Sequence, residues 1–555
     1  MPAQEPSLVL RSTTRLVQVN VVVQDKNGRP VANLKKEDFV LRDNGKTQEI
    51  RIFSVESKDQ LYAPAAQLPP NVFSNRLEQR SGAPANVTAI LLDGLNTRWG
   101  DQAVARRQII AYLERIQPQD RVGLYTLGRE LRVLHDYTTD AALLLKSLAR
   151  YRNLYTPVLD AAEPRPGSPM SKVDIPKNPQ DPGSIAEDVA QGLMDLLKDE
   201  ADFYQEQRIL TSLKAVEVLA NHLAGVPGRK SLVWVSGGFP MIMGLLDNAR
   251  PAAGWPTSHW FDPLPRQTRS SSEESLHARR ITGRNFRTFG PEVDRTIRAL
   301  NNANLAIYPV DARGLLITPT AYTNVASMKE LAQRTGGKAY YNTNDLMNSV
   351  REAVEDSRVT YTLGYYPSDL KEDGNFREIR VRVNRPRLVV RHRRGYLDAP
   401  VQLESAETVL RDAVWSPLDA TAVRLDARLD FSAQPAPNSL LVHILVDPAS
   451  VTFGQQGPLW LGALDVLCAQ TDDLGREYHV LSETIDIKMR PETYQNRLKT
   501  GIVHRTTAPR QTGATKFRIV VRDRPSGNIG SLTIPFSKIV NDVSATAPHP
   551  AARTP

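Results

Sequence analysis

The chain has a single cysteine, Cys468, in 555 residues, so no disulfide can form within it. That suits a reducing compartment, and equally an exported bacterial protein that never used disulfides. No stretch approaches the roughly 20 consecutive apolar residues of a bilayer-spanning helix, so no transmembrane segment is expected. The nine histidines show no H-E-x-x-H or related spacing. There is no Walker or dinucleotide glycine pattern, and Ser236 sits in V-S-G-G rather than in a G-x-S-x-G elbow. The start, MPAQEPSLVL, carries neither a basic n-region nor an apolar h-region. A net charge of +9 is modest for this length. It favours anionic surfaces over dedicated nucleic-acid binding, and no helix-turn-helix, zinc-finger or RNA-binding signature accompanies it.

What is present is ordinary globular material, 41% hydrophobic and 24% charged. At roughly 100–200 residues per domain it should hold about three domains. The organising stretch is VTAILLDGLNT (87–97). Its apolar run, Val87 to Leu92, suits a parallel strand covered on both faces. Asp93, Asn96 and Thr97 follow at the carboxyl end, where open α/β sheets bind ligands. Residues 101–117 form an amphipathic helix with Ala105, Ile109, Tyr112, Leu113 and Ile116 on one stripe, and DRVGLYTLG (120–128) adds a strand, completing a βαβ unit. The pattern continues through a helical stretch at 184–224, a strand at Ser231–Val235, and a strand LAIYPVDARG that ends at Asp311. KAYYNT, VTYTLGYYP and FREIRVRVNRPRLVVRHRRGY read as further strands.

The expected fold class is α/β. A doubly wound, mostly parallel sheet spans 86–397, with loop insertions at 155–183 and 241–290. A small N-terminal β unit (8–56) and a linker (57–85) precede it. A C-terminal β-sandwich of immunoglobulin type (405–540) and a disordered tail (541–555) follow. Asp43-Asn44-Gly45 is a hairpin turn within the N-terminal unit. Cys468, in LDVLCAQ, reads as a buried strand residue.

ILLDGLNT, the helix after it and DRVGLYTLG resemble the start of a von Willebrand factor A (VWA) domain. More narrowly, they resemble the VWFA-related proteins abundant in Acidobacteria. DKNGRPVANLKKEDFVLRDNGKTQEI resembles the segment that precedes the A domain in those proteins. The Y-x-L-G-Y-x-P strand, the R-x-I-x-V-x-V strand and the closing R-x-G-Y resemble its ending. The resemblance covers most of residues 15–400. It implies a non-enzymatic adhesion or protein-binding module, secreted, periplasmic or on the cell surface, with an export signal upstream of Met1; a cytoplasmic location is the alternative. It also implies a metal-dependent adhesion site after the first strand, with Asp93 and Thr97 as Mg²⁺ ligands. This site is degenerate. Leu95 stands where the family places a serine, and Ser236-Gly237-Gly238 lacks a second carboxylate.

The ligand-binding candidates are Asn96, Ser236, Gly237 and Asp311, all at strand ends, together with Trp255 and Trp260 in the 241–290 insertion. The plainer account of Asp93, Asn96 and Thr97 is a capped helix start, and that of the tryptophans is packing back onto the domain. The arginine-rich segment offers Arg380 and Arg382 on one strand face, then Arg385, Arg387, Arg391, Arg393 and Arg394. It could grip an anionic envelope polymer, or it could be a solvated face that discourages edge pairing. The readings are therefore a protein partner at the strand-end crevice, an envelope-polymer or carbohydrate scaffold, and a hydrolase working through Asp93, Ser236 and Asp311.

Overall fold

A computed structural model describes residues 16–57, 68–77, 79, 87–153, 157–162, 185–238, 289–315, 319–356, 358–368, 373–398, 405–432 and 439–540. Most of the 155–183 insertion, nearly all of the 241–290 insertion with Trp255 and Trp260, and the 541–555 tail lie outside the described residues. The chain opens with strands β1 (Val17–Gln24), β2 (Phe39–Asp43), β3 (Lys46–Gln48), β4 (Ile52–Ser57) and β5 (Val72–Ser74). Next come β6 (Val87–Asp93), β7 (Arg121–Leu127), β8 (Leu131–Thr138), β9 (Lys230–Ser236) and β10 (Leu305–Asp311), separated by helices. Strands β11 (Val359–Tyr365), β12 (Asn375–Val383), β13 (Val389–Arg391) and β14 (Gly395–Asp398) follow. The last group is β15 (Leu425–Ser432), β16 (Ser439–Val446), β17 (Gly454–Gln456), β18 (Leu459–Thr471), β19 (Glu477–Met489), β20 (Ile502–Pro509), β21 (Lys516–Asp523) and β22 (Ile529–Pro535).

The five strands β6–β10 form one mixed sheet in the order β10-β9-β6-β7-β8. Its first four neighbours run parallel and β8 closes the edge antiparallel. All seven residues of β6, β9 and β10 are buried because helices cover both faces. On one face Leu91, Tyr125, Leu232, Trp234 and Ile307 pack with Leu213, Val216 and Leu219 of the long helix Ile185–Leu223 and with Ile297 and Leu300 of Gly290–Asn302. On the other, Ile90, Leu92, Leu124, Val233 and Tyr308 pack with Ile109 and Leu113 of Trp99–Leu113, Leu144 and Leu148 of Ala141–Arg150, and Val350 of Leu346–Glu355. Alternate side chains of each strand thus serve opposite cores, which is why these runs read as continuously apolar. The Ala141–Arg150 helix is capped by Asp140, whose carboxylate accepts from the amides of Ala142 and Leu143.

Three expectations need correction. KAYYNT does not extend this sheet as a strand; it contributes one parallel bridge, Val310 with Tyr340. VTYTLGYYP and the arginine-rich strands do not belong to the mixed sheet either. β11 pairs with β1 and β4, and β12 with β2 and β14, so residues 17–57 and 359–398 make two four-stranded sheets around one core that holds Val19, Val21, Phe39, Leu41, Tyr361, Leu363 and Ile379. The N-terminal β unit is therefore half of a layer pair whose other half lies over 300 residues along the chain, and neither half could cover its apolar face alone. Third, the 57–85 linker contains β5, which pairs with β15 in the C-terminal part. There, two antiparallel sheets, β20-β16-β15-β5 and β17-β18-β21-β22 with β19 on β18, share one core containing the buried Cys468.

The C-terminal sheets also anchor on the long helix. The Thr421 amide donates to Asn221 O, the Gly225 amide donates to Thr421 Oγ1 (2.8 Å), and His222 Nδ1 lies 2.6 Å from Asp419 O. Gly225 has to be glycine, since a Cβ there would sit 2.2 Å from Thr421 O.

Candidate functional site

The parallel register carries the ends of β6, β9 and β10 to one edge, with Asp311 opposite Ser236 and Leu92 opposite Val235. Asp93, Ser236 and Asp311 are therefore neighbours, as the strand boundaries predict. What surrounds them is not an open crevice. Asp93 is only 2% exposed. Its Oδ1 accepts from the Asn96 amide at 2.9 Å. Its Oδ2 accepts from Asn96 Nδ2 at 2.8 Å and from the Trp234 indole Nε1 at 3.0 Å, and lies 2.8 Å from Ser236 Oγ. Burial pushes the carboxyl pKa up, and the hydrogen bonds from Asn96, Ser236 and Trp234 pull it part of the way back.

A second layer fixes the first. Asn96 Oδ1 accepts from Arg208 Nε (3.1 Å) and Asn96 Nδ2 lies 2.8 Å from Ser212 Oγ, both residues coming from the long helix. The Gly237 amide donates to Thr97 Oγ1 (2.8 Å), and Gln102 Nε2 donates to Thr97 O (2.7 Å). The loops after β6 and β9 approach so closely that a Cβ on Gly237 would lie 3.2 Å from Asn96 O and from Thr97 Cα. Asn96, Thr97 and Ser236 are all buried.

These residues do not fit the Mg²⁺ ion expected from the sequence. Mg²⁺ requires oxygen lone pairs in near-octahedral array. Here both carboxylate oxygens of Asp93 face N–H and O–H donors, Gly237 presents an N–H, and Leu95 is buried in the apolar core. No group of three or more His, Cys, Asp or Glu suited to a metal occurs among the described residues. A cation at Asp93 would have to displace the donors that hold the loop.

Asp311 is engaged as well. Arg313 grips it in bidentate fashion, Nε to Oδ1 at 3.0 Å and NH2 to Oδ2 at 2.7 Å, and the Arg313 amide also donates to Oδ1. Ser236 Oγ is fully buried and lies 2.7 Å from Gly238 O as well as beside Asp93, with no imidazole among its hydrogen-bond partners. Two histidines of this part of the chain are engaged by backbone carbonyls, His222 with Asp419 O and His135 with Asp136 O.

Among the described residues, two large apolar side chains near this edge are exposed. Trp99 is 59% exposed at the start of its helix, and Leu315 is 63% exposed just beyond β10. Near Trp99, Asp101 feels the charges of Arg313 and Arg98; burial raises its pKa, and Arg313 lowers it. Sequence reasoning passed over Arg208, Trp234, Arg313, Trp99 and Leu315. Trp99 alone carried a local signal, an aromatic at the first position of an amphipathic helix.

No protein-family model matches the chain, and no curated protein does. Among solved structures it is similar to an aerotolerance-related membrane protein from Bacteroides fragilis, at 10% identity over 49% of this chain and 98% of that one, TM-score 0.24. It is similar to BatB from Bacteroides thetaiotaomicron at 10% identity, 50% and 98% coverage and TM-score 0.23. It is also similar to the three N-terminal domains of the type V pili tip protein Mfa5 from Porphyromonas gingivalis, at 10% identity, 89% and 97% coverage and TM-score 0.26. Likeness at this level assigns neither ligand nor chemistry.

Proposed function

We propose that the chain is a non-enzymatic binding module on a VWA-type scaffold, engaging a protein partner at or outside a bacterial envelope through the rim of the mixed sheet. The scaffold assignment is supported by the D-x-L-x-T loop after a central first strand, the antiparallel third strand at the edge, and helices on both faces. The observation that carries the functional reading is the contrast at one edge, where a sealed Asp93 network lies beside an exposed Trp99 and Leu315. Tryptophan is among the residue types that dominate binding energy in interfaces. The adhesion site of the family is here converted from a metal cradle into an internal brace, and contact passes to the surrounding side chains.

The hydrolase reading has less support. A serine nucleophile must also be reached by its substrate, and Ser236 Oγ is buried between the Asp93 carboxylate and Gly238 O. Asp311 is neutralised by Arg313.

The test is site-specific photo-crosslinking with a periplasmic and envelope extract. A crosslinker at position 99 should trap a discrete protein, and Leu315→Glu should abolish the adduct. A crosslinker at exposed Glu114, at the far end of the same helix, should trap nothing comparable. Identical adducts from both positions, or none from position 99, would refute the reading.

A further inference from the structure

We propose that the outer face of the sheet β14-β12-β2-β3 is a docking surface for a phosphate-bearing linear polyanion. Along β12, Ile379 and Val381 turn inward while Glu378, Arg380 and Arg382 turn outward. Along β2, Phe39, Leu41 and Asp43 turn inward and Arg42 outward. The register places Arg380 directly opposite Arg42. Residues opposed in this way sit roughly 5 Å apart at their Cβ atoms, and residues two apart on one strand roughly 7 Å. Three arginines therefore spring from a small area of the sheet, and Glu378 on the same face pairs with Arg380 at 3.0 Å. Arg42 and Arg382 have no carboxylate partner among the described residues, and both are exposed. Phe376, also on this face, carries Arg394 over its ring at 5.9 Å.

Like charges directly across a sheet destabilise it, so this arrangement calls for a reason. Edge protection does not supply one, because β12 is an interior strand with β2 and β14 hydrogen-bonded on either side. Nor are these arginines structural like their neighbours. Arg385 is committed to Asp38 and Arg391 to Asp356, whereas Arg42, Arg380 and Arg382 project away from the core. Three guanidinium forks borne on one small area of sheet suit phosphate oxygens, which accept bidentate hydrogen bonds. Charge complementarity favours a flexible polymer over a membrane. A chain can thread between the arginines and bypass Glu378, while a lipid surface would press the carboxylate against its own headgroups.

The experiment uses the full chain and fluorescently labelled inorganic polyphosphate, read by anisotropy across a salt series. The wild type should bind, with log affinity falling against log salt at a slope on the order of −2, the value for three neutralised phosphates on a flexible strand. The triple variant Arg42→Gln/Arg380→Gln/Arg382→Gln should bind at least tenfold more weakly while its melting temperature is unchanged or raised. A control triple variant at exposed arginines elsewhere, Arg132→Gln/Arg411→Gln/Arg428→Gln, should bind like wild type. The proposal is overturned if the two triple variants lose affinity equally, if the first binds within twofold of wild type, or if phosphatidylglycerol vesicles bind and polyphosphate does not.

Discussion

The indole N–H of Trp234 donates to Asp93 Oδ2 at 3.0 Å, across the seam between β9 and β6. Trp234 pairs in register with Leu91, so its ring lies on the same face as Asp93, one pleat short of the strand end. A fully buried indole needs an acceptor and a fully buried carboxylate needs donors. Each satisfies the other, and no ion is needed to complete the account.

Replacing Asp93 by Asn should expose how much this brace contributes. An amide nitrogen would face donors from Asn96, Trp234 and Ser236, leaving buried groups unsatisfied. A loss of about 2–4 kcal/mol in urea unfolding is expected. A loss below about 0.5 kcal/mol, the range of ordinary surface changes, would mean that the network is not the brace described.

Divalent cations should be without effect on the folded chain. A ligand held only by the native state raises stability by about 2.7 kcal/mol at a hundred times its dissociation constant. Titration with Mg²⁺ or Mn²⁺ in the millimolar range should give no binding heat and no shift in melting temperature. Saturable heat that disappears in Asp93→Ala would restore the metal site.

Lys230 provides a pH signature. It is fully buried at the start of β9, donates to Val226 O at 2.6 Å, and burial lowers its pKa from 10.5 to about 7, with Glu56 pulling the other way. Above about pH 7 the folded chain has released this proton while the unfolded chain still holds it. Stability contributed by Lys230 therefore rises with pH from about 7 towards 10.5, and it is absent below the lower value. Relative to Lys230→Met, the wild type should gain on the order of 2 kcal/mol between about pH 7 and about pH 9. Parallel stability profiles for the two proteins would contradict the lowered value.

Gly225→Ala should loosen the join between the long helix and the C-terminal sheets. The new methyl would meet Thr421 O at 2.2 Å, and the Gly225 amide bond to Thr421 would be strained with it. A cost of about 1–3 kcal/mol is typical of forced overpacking. Limited proteolysis should then cut faster around residues 416–425, whereas Gly100→Ala, which meets nothing within 4 Å, should leave the rate unchanged.

Periodicity alone located β6, β7, β9 and β10 and the covering helices at 101–117 and 184–224, because strands buried on both faces need unbroken apolar runs and helices need a stripe. It also set Asp93, Ser236 and Asp311 at the ends of those runs, and hence on one edge once the strands ran parallel. Only the tertiary structure decided whether that edge was open. The groups that close it, Trp234 and Arg208, lie 141 and 112 residues from the partners they bond, and no local pattern encodes such an encounter. The same holds for β11 and β12, whose alternating sequences do not say which strands they pair with, and for β5, three residues in an apparent linker. Burial demand is written along the chain; which distant segment meets it is settled when the layers pack and every buried donor finds an acceptor.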